Sequence, residues 1–219
     1  MVDQSKLAIK LRKFDRVCPI TGYREESIRV GAPVIVQTDR GLEYGEIVSY
    51  VRGYPRALSR DVRLKKVIRY ATAEDIEKVK SFKEMEAKAV VEAARKAKEY
   101  ELPIKIINAE YLFDTTKIIV YYRVKEGEKV PNLRELTRDL ATLFSARVDL
   151  RQLSPRDEAR LFGGYGSCGR PLCCSIWLEK PMHVTVKMVK EQGFSVSSSK
   201  TAGLCGRLMC CLAYEHQGT

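Results

Sequence analysis

The 219-residue chain holds only two histidines and one tryptophan. It also lacks any run of about eighteen apolar residues, the least a membrane helix needs. So little histidine leaves scant material for a histidine-based catalytic centre. Neither a Ser/His/Asp set nor a paired-carboxylate signature is present. The "GGYG" stretch (Gly163 to Gly166) lacks the Lys-Ser/Thr of a phosphate-binding loop, which excludes that route to nucleotides. The opening segment, "MVDQSKLAIKLRKF", has no apolar leader core, so the chain is expected to remain in the reducing cytoplasm. Structural disulfides are disfavoured there, and seven cysteines do not pair completely. Metal, cluster or redox chemistry is the remaining use for the thiols.

The chain carries a net charge of +11 and a pI near 9.3. That balance favours acidic partners, either nucleic acid or an acidic protein face. Direct RNA binding is one expectation; an ordinary solvated surface rich in Lys, Arg and Glu is the other.

Three parts follow one another, and together they predict an α+β fold. Residues 1–70 read as a small barrel-like or meandering sheet. "SIRVGAPVIVQT" and "LEYGEIVSYV" are rich in β-branched and aromatic residues, with "DRG" turning between them and "VRLKKVIRY" as a third strand. A basic loop spans Arg52 to Arg60. Residues 71–162 read as helix, strand, strand, helix, strand, with helices on one face of a largely antiparallel sheet. Thr72 and Asp75 form a capping box. Ile76, Val79, Phe82, Met85, Ala89, Ala93, Ala97 and Tyr100 form its buried stripe, and Glu84–Lys88 and Glu92–Lys96 are spaced as ion pairs. Asn132 and Glu135 cap the second helix, whose inner face carries Leu133, Leu136, Leu140, Leu143 and Phe144. Ser154 and Pro155 open a short helix ending before Gly163. Residues 163–219 form a cysteine-rich layer of helices and loops.

That last part contains an internal repeat. "GSCGRPLCC" (Gly166 to Cys174) and "GLCGRLMCC" (Gly203 to Cys211) share six of nine positions at a separation of 37 residues. The shared pattern places Cys168, Cys173 and Cys174 in register with Cys205, Cys210 and Cys211. Zinc ribbons use C-x2-C pairs, whereas a C-x4-C step occurs in iron–sulfur loops. Flanking glycines let the backbone approach an inorganic core, and Arg170 and Arg207 offset thiolate charge around it. Helical doublets project adjacent cysteines about 100° apart, so one of each pair turns away from a shared centre. Two arrangements remain open: a four-thiolate site using one cysteine from each doublet, or sites completed by another protein. Zinc competes with a cluster, because tetrahedral thiolate sites accept either. A buried "CCL" also packs as a small hydrophobe, but two copies with six cysteines are hard to assign to packing. Cys18 stands alone. His183 and His216 lie near the cysteines and are weaker ligand candidates. Trp177 and Leu178 read as core.

With these residues in view, the chain resembles the bacterial RicT family, also called YaaT, defined by the polymerase-suppressor C-terminal domain. The resemblance runs from "RGLEYGEIV" through "RELTRDLATLFSARVDLRQLSPRDEARLFGGYGSCGRPLCC" to "GLCGRLMCCLAYE". It implies a non-enzymatic subunit of a cytoplasmic complex with the small proteins RicA and RicF. That complex carries [4Fe–4S] clusters and works with the endoribonuclease RNase Y in messenger RNA maturation. In spore formers it supports sporulation, competence and biofilm formation. The resemblance places the metal ligands on Cys168, Cys173, Cys174, Cys205, Cys210 and Cys211, and gives Cys18 no role. Family members continue past the second motif, whereas this sequence runs to Thr219. Beside this reading stand two others: a zinc-stabilised nucleic-acid-binding module, and a redox protein using a vicinal dithiol.

Overall fold

A computed structural model describes residues 7–12, 17–21, 29–49, 65–129, 131–176, 178, 182–195 and 198–217. The expected basic loop Arg52 to Arg60, the start of the third predicted strand (residues 62–64) and Trp177 lie outside the described residues. The fold is α+β. Its chain divides into two compact units, Met1–Gln152 and Leu153–Thr219. The sequence reading set its last division at Gly163; the units part ten residues earlier, so the short helix after Ser154 lies with the cysteines.

The first unit opens with five strands: β1 (Leu7–Leu11), β2 (Val17–Thr21), β3 (Pro33–Thr38), β4 (Gly41–Ser49) and β5 (Lys65–Tyr70). They pair in the order β1-β2-β5-β3-β4, and β4 returns to β1 from Leu7↔Ser49 to Leu11↔Gly45, closing a barrel. Only β2 and β5 run parallel. Period-two alternation fills the interior with Ile9, Leu11, Val34, Val36 and Ile47. Gly45 is required by packing, since a Cβ there would lie 2.3 Å from the Ile9 Cγ2. The sequence reading missed β1 and β2. Lysine-rich flanks obscure the short alternation of β1, and Pro19 sits inside β2, where a proline argues against a strand.

Behind the barrel in sequence come α1 (Ala73–Glu99), β6 (Ile104–Tyr111), β7 (Lys117–Val124), α2 (Arg134–Phe144) and β8 (Arg147–Gln152). The Thr72–Asp75 capping box is present in both directions. The buried stripe of α1 is Phe82, Glu86, Ala89, Ala93 and Ala97; Met85 is turned outward and Glu86 takes the inner place. Glu86 is tolerated because it accepts the Tyr111 N–H at 3.0 Å and pairs with Arg12. On the outer face Arg95 meets Glu92 and Glu99, while Lys96 meets Glu99 and Asp139.

The sheet order is β6-β7-β8, with β6 antiparallel to β7 but β8 parallel to it. That corrects the largely antiparallel expectation. A strand that returns through a crossing helix such as α2 lies parallel to the one it left. The cap of α2 is Leu133, without a side-chain bond, and Asn132 accepts from the Arg134 N–H instead. Leu136 and Leu140 are buried, whereas Leu143 is exposed. Barrel and sandwich share buried polar bonds within this unit. The Phe113 N–H donates to the Leu42 carbonyl at 3.0 Å, and Arg40, in the β3–β4 turn, reaches Glu110 and Tyr121.

The second unit contains α3 (Pro155–Phe162), α4 (Cys173–Ile176), α5 (Val186–Glu191), α6 (Ser198–Thr201) and α7 (Cys210–Gln217). Ser154 caps α3 by accepting the Asp157 N–H, with proline in the first turn as read from the sequence. Val184, Val189, Leu212 and Ala213 make its small core. Among the described residues, no helix is long and apolar enough to cross a membrane.

Candidate metal centre

The two cysteine motifs fold into the same loop. In the first, the Gly166 N–H donates to the Arg170 carbonyl at 2.8 Å and the Gly169 N–H to the Gly166 carbonyl at 3.0 Å. In the second, Gly203 to Arg207 spans 2.8 Å and Gly206 to Gly203 spans 2.9 Å. The base of each loop is held by Leu172 N–H to the Gly164 carbonyl, at 3.1 Å, and Met209 N–H to the Thr201 carbonyl, at 2.9 Å. Isolated bridges Tyr165↔Pro171 and Ala202↔Leu208 complete the match. The glycine after each first cysteine has positive φ, 73° at Gly169 and 71° at Gly206, a conformation that disfavours any other residue. Sequence identity therefore reflects backbone need as well as chemistry.

Each loop runs straight into a helix that begins on its doublet, α4 at Cys173 and α7 at Cys210. All six cysteines line a single cavity of about 70 Å³, with Arg156, Arg170, Leu204 and Met209 among its other walls. Cys168 is exposed, Cys174 is buried and the other four are half-buried; none of the six is in a disulfide. Burial pushes the thiols of Cys173, Cys174 and Cys211 above the ordinary cysteine value, and that of Cys210 up to about 11. Neighbouring thiols add to the effect, because one thiolate disfavours the next. A redox dithiol needs the opposite shift, toward a lowered pKa.

The donor set fits a soft metal centre: among the described residues, six thiols and no carboxylate line the cavity. The space is several times the roughly 10–15 Å³ that one water occupies. Among the described residues, no three Cys, His, Asp or Glu side chains converge tightly enough to hold one metal ion. The six thiols line the walls of one cavity, and soft thiolate donors of this kind suit either a tetrahedral zinc or an iron–sulfur cluster.

Of the predicted flanking arginines, Arg170 lines the cavity and favours the Cys173 thiolate, whereas Arg207 is exposed and absent from the wall. Neither histidine lines it: His183 is exposed, and the His216 Nε2 lies 2.9 Å from a Glu191 carboxylate oxygen. Cys18 is in β2 of the other unit. The sequence reading missed Arg156 and Arg160. Their spacing of four on a short helix was the available signal.

Residues 65–153 match the PSP1 C-terminal conserved region, and residues 183–218 match the third domain of PSP1-like proteins. The chain is 42% identical over 185 residues to the Stage 0 sporulation protein YaaT of Bacillus subtilis, covering 84% of this chain and 65% of that protein. It is 23% identical over 148 residues to an uncharacterized protein of Schizosaccharomyces pombe, covering 56% of this chain and 19% of that one. No solved structure matches the chain.

Proposed function

This chain belongs to the YaaT family of proteins with the PSP1 C-terminal conserved region, and we propose that it is a non-enzymatic regulatory subunit built around an iron–sulfur centre. The observation that carries the reading is the meeting of all six repeat cysteines on one cavity wall. Packing alone gives no reason for duplicated loops to bring every thiol to the same space. Cys168 and Cys205, with cysteines from the doublets Cys173–Cys174 and Cys210–Cys211, would hold a [4Fe–4S] cluster. Such a cluster, when bound, supplies one-electron chemistry or a folding-linked sensor of iron and oxygen. The protein's part is to bring the thiols of both loops together and to shape the cavity.

The partners follow from the family: RicA-like and RicF-like small proteins, and RNase Y, in cytoplasmic messenger RNA maturation. A role in sporulation is supported by the name of the YaaT relative; competence and biofilm formation belong to the same proposal. The relative is longer, since this chain spans 65% of it, so its partners are carried over as part of the proposal. Anaerobic purification followed by iron, sulfide and zinc analysis tests the centre. Iron and acid-labile sulfide in equal amounts support it; stoichiometric zinc without sulfide replaces it with a structural zinc module.

A further inference from the structure

The two loops are alike in backbone but differ in what precedes them. At the repeat distance of 37 residues, Arg156 and Arg160 correspond to Gly193 and Ser197, so only the first copy is preceded by an arginine pair. The two arginines stand about one turn apart on α3, which packs on α4 and its cysteine doublet. Arg156 forms part of the cavity wall. Arg160 is half-buried, and its Nε is shut away from solvent without a hydrogen-bond partner. Among the described residues, one other buried side-chain atom shares that condition, the Oγ of Ser175 beside Cys174. Both unpartnered atoms thus occur next to the doublet, on elements that flank the cavity. A buried polar atom left bare in a native site needs an explanation, and a ligand is one.

Arg156 lines the same cavity as the cysteines of both copies, so its charge serves the two loops together. Four thiolates around a divalent ion or a [4Fe–4S]²⁺ core carry a net charge of about −2. Two guanidinium groups offset that charge, and a dianion in a half-buried cavity requires such an offset.

We propose that Arg156 and Arg160 are the counter-charges of an anionic metal–thiolate core, one arginine helix serving the cysteines of both copies. This rests on the metal-centre reading above. They are positioning residues that act through the thiolates: each thiol that binds metal gives its proton to solvent, and the arginines stabilise the anion left behind.

The test uses the full chain under anaerobic conditions, titrated with Co²⁺ and followed by the thiolate-to-cobalt charge-transfer band. Arg156→Gln and Arg160→Gln are each expected to weaken Co²⁺ binding about 10–100-fold, while the paired Arg→Lys variant retains most of it. Arg207→Gln, at an exposed arginine off the cavity wall, stays within about two-fold of the parent. In reconstituted protein, loss of both positive charges moves the reduction potential to more negative values. Should Arg160→Gln fail to fold, Arg156→Gln decides alone, since its side chain is half-buried at the wall. A parent that binds Co²⁺ while Arg156→Gln binds equally well overturns the role of the arginines and leaves the metal centre standing. A parent that takes up neither cobalt nor iron removes both.

Discussion

The Arg40 guanidinium lies 3.0 Å from a carboxylate oxygen of Glu110, joining the barrel turn to strand β6 of the sandwich. Glu43 holds the other side of the same guanidinium, and the Tyr121 hydroxyl donates to Glu110 at 2.8 Å. Side-chain exposure is 10% for Arg40 and 3% for Glu110, so this cluster belongs to the interior of the first unit. Removing the cation strands two buried carboxylates. Arg40→Ala is therefore expected to cost about 3–5 kcal/mol in urea unfolding. A loss below about 1 kcal/mol would place the cluster in the class of screened surface pairs.

A pH dependence follows from the start of α1. Arg69 and the Thr72 backbone N–H both bond the Asp75 carboxylate and hold its pKa well below the usual range. A folded pKa below the unfolded one gives stability that is complete above the unfolded value, near 3.9, and lost as the pH falls below it. Melting temperature should drop on acidification below about pH 4, and Asp75→Asn should flatten that limb while lowering the neutral-pH value. Thermal melts of both proteins across the acid range decide it. Parallel acid limbs would assign the dependence to other carboxylates.

The cysteines separate ligation from packing. Serine keeps the size of Cys168 or Cys205 but is a far poorer soft-metal ligand. Each replacement should lower iron content and bleach the absorbance near 400 nm, while the first unit keeps its melting transition. Cys18→Ser should leave iron unchanged. Full iron in both Cys168→Ser and Cys205→Ser would sink the ligand assignment.

Gly169 and Gly206 test the backbone of the loops. A Cβ at either meets nothing within 4 Å, so alanine there is strained by φ alone and not by a clash. Alanine at either position is expected to destabilise the second unit by about 1–2 kcal/mol, and asparagine, which tolerates positive φ, by less. Equal stability of the alanine and asparagine variants would contradict the conformational account.

The basic surface gives a last test. If the +11 charge serves an acidic protein face, binding to generic single-stranded RNA is weak at physiological salt. Low-nanomolar retardation with a steep salt slope would favour the nucleic-acid module instead.

Much of this molecule is legible where one residue has one local task. Thr72 and Asp75, like Ser154 and Pro155, bond their own helix ends, and sequence spacing alone identifies them. The repeat is legible for the same reason, because each loop closes through its own glycines. What escaped the reading depends on partners far along the chain. Glu86 displaces Met85 from the core because Arg12 and Tyr111 satisfy it from 74 and 25 residues away. The strand β2, with its proline, is stable only once β1 and β5 flank it. The "DRG" turn showed its glycine but not that Arg40 would be buried, since Glu110 lies 70 residues on. Arg156 reaches the cavity wall, and Arg160 is brought near the doublet, only after α3 has folded back beside α4.

Arg40 also imposes an order on the chain as it is made. When the ribosome has added Tyr70, all five barrel strands exist, but Glu110 and Tyr121, 70 and 81 residues beyond Arg40, have not been synthesised. The barrel seals its charged seam with residues of the fold that follows it. A gene divided between Tyr70 and Ala73 would separate Arg40 from Glu110 and leave a buried charge without its partner on each side of the cut.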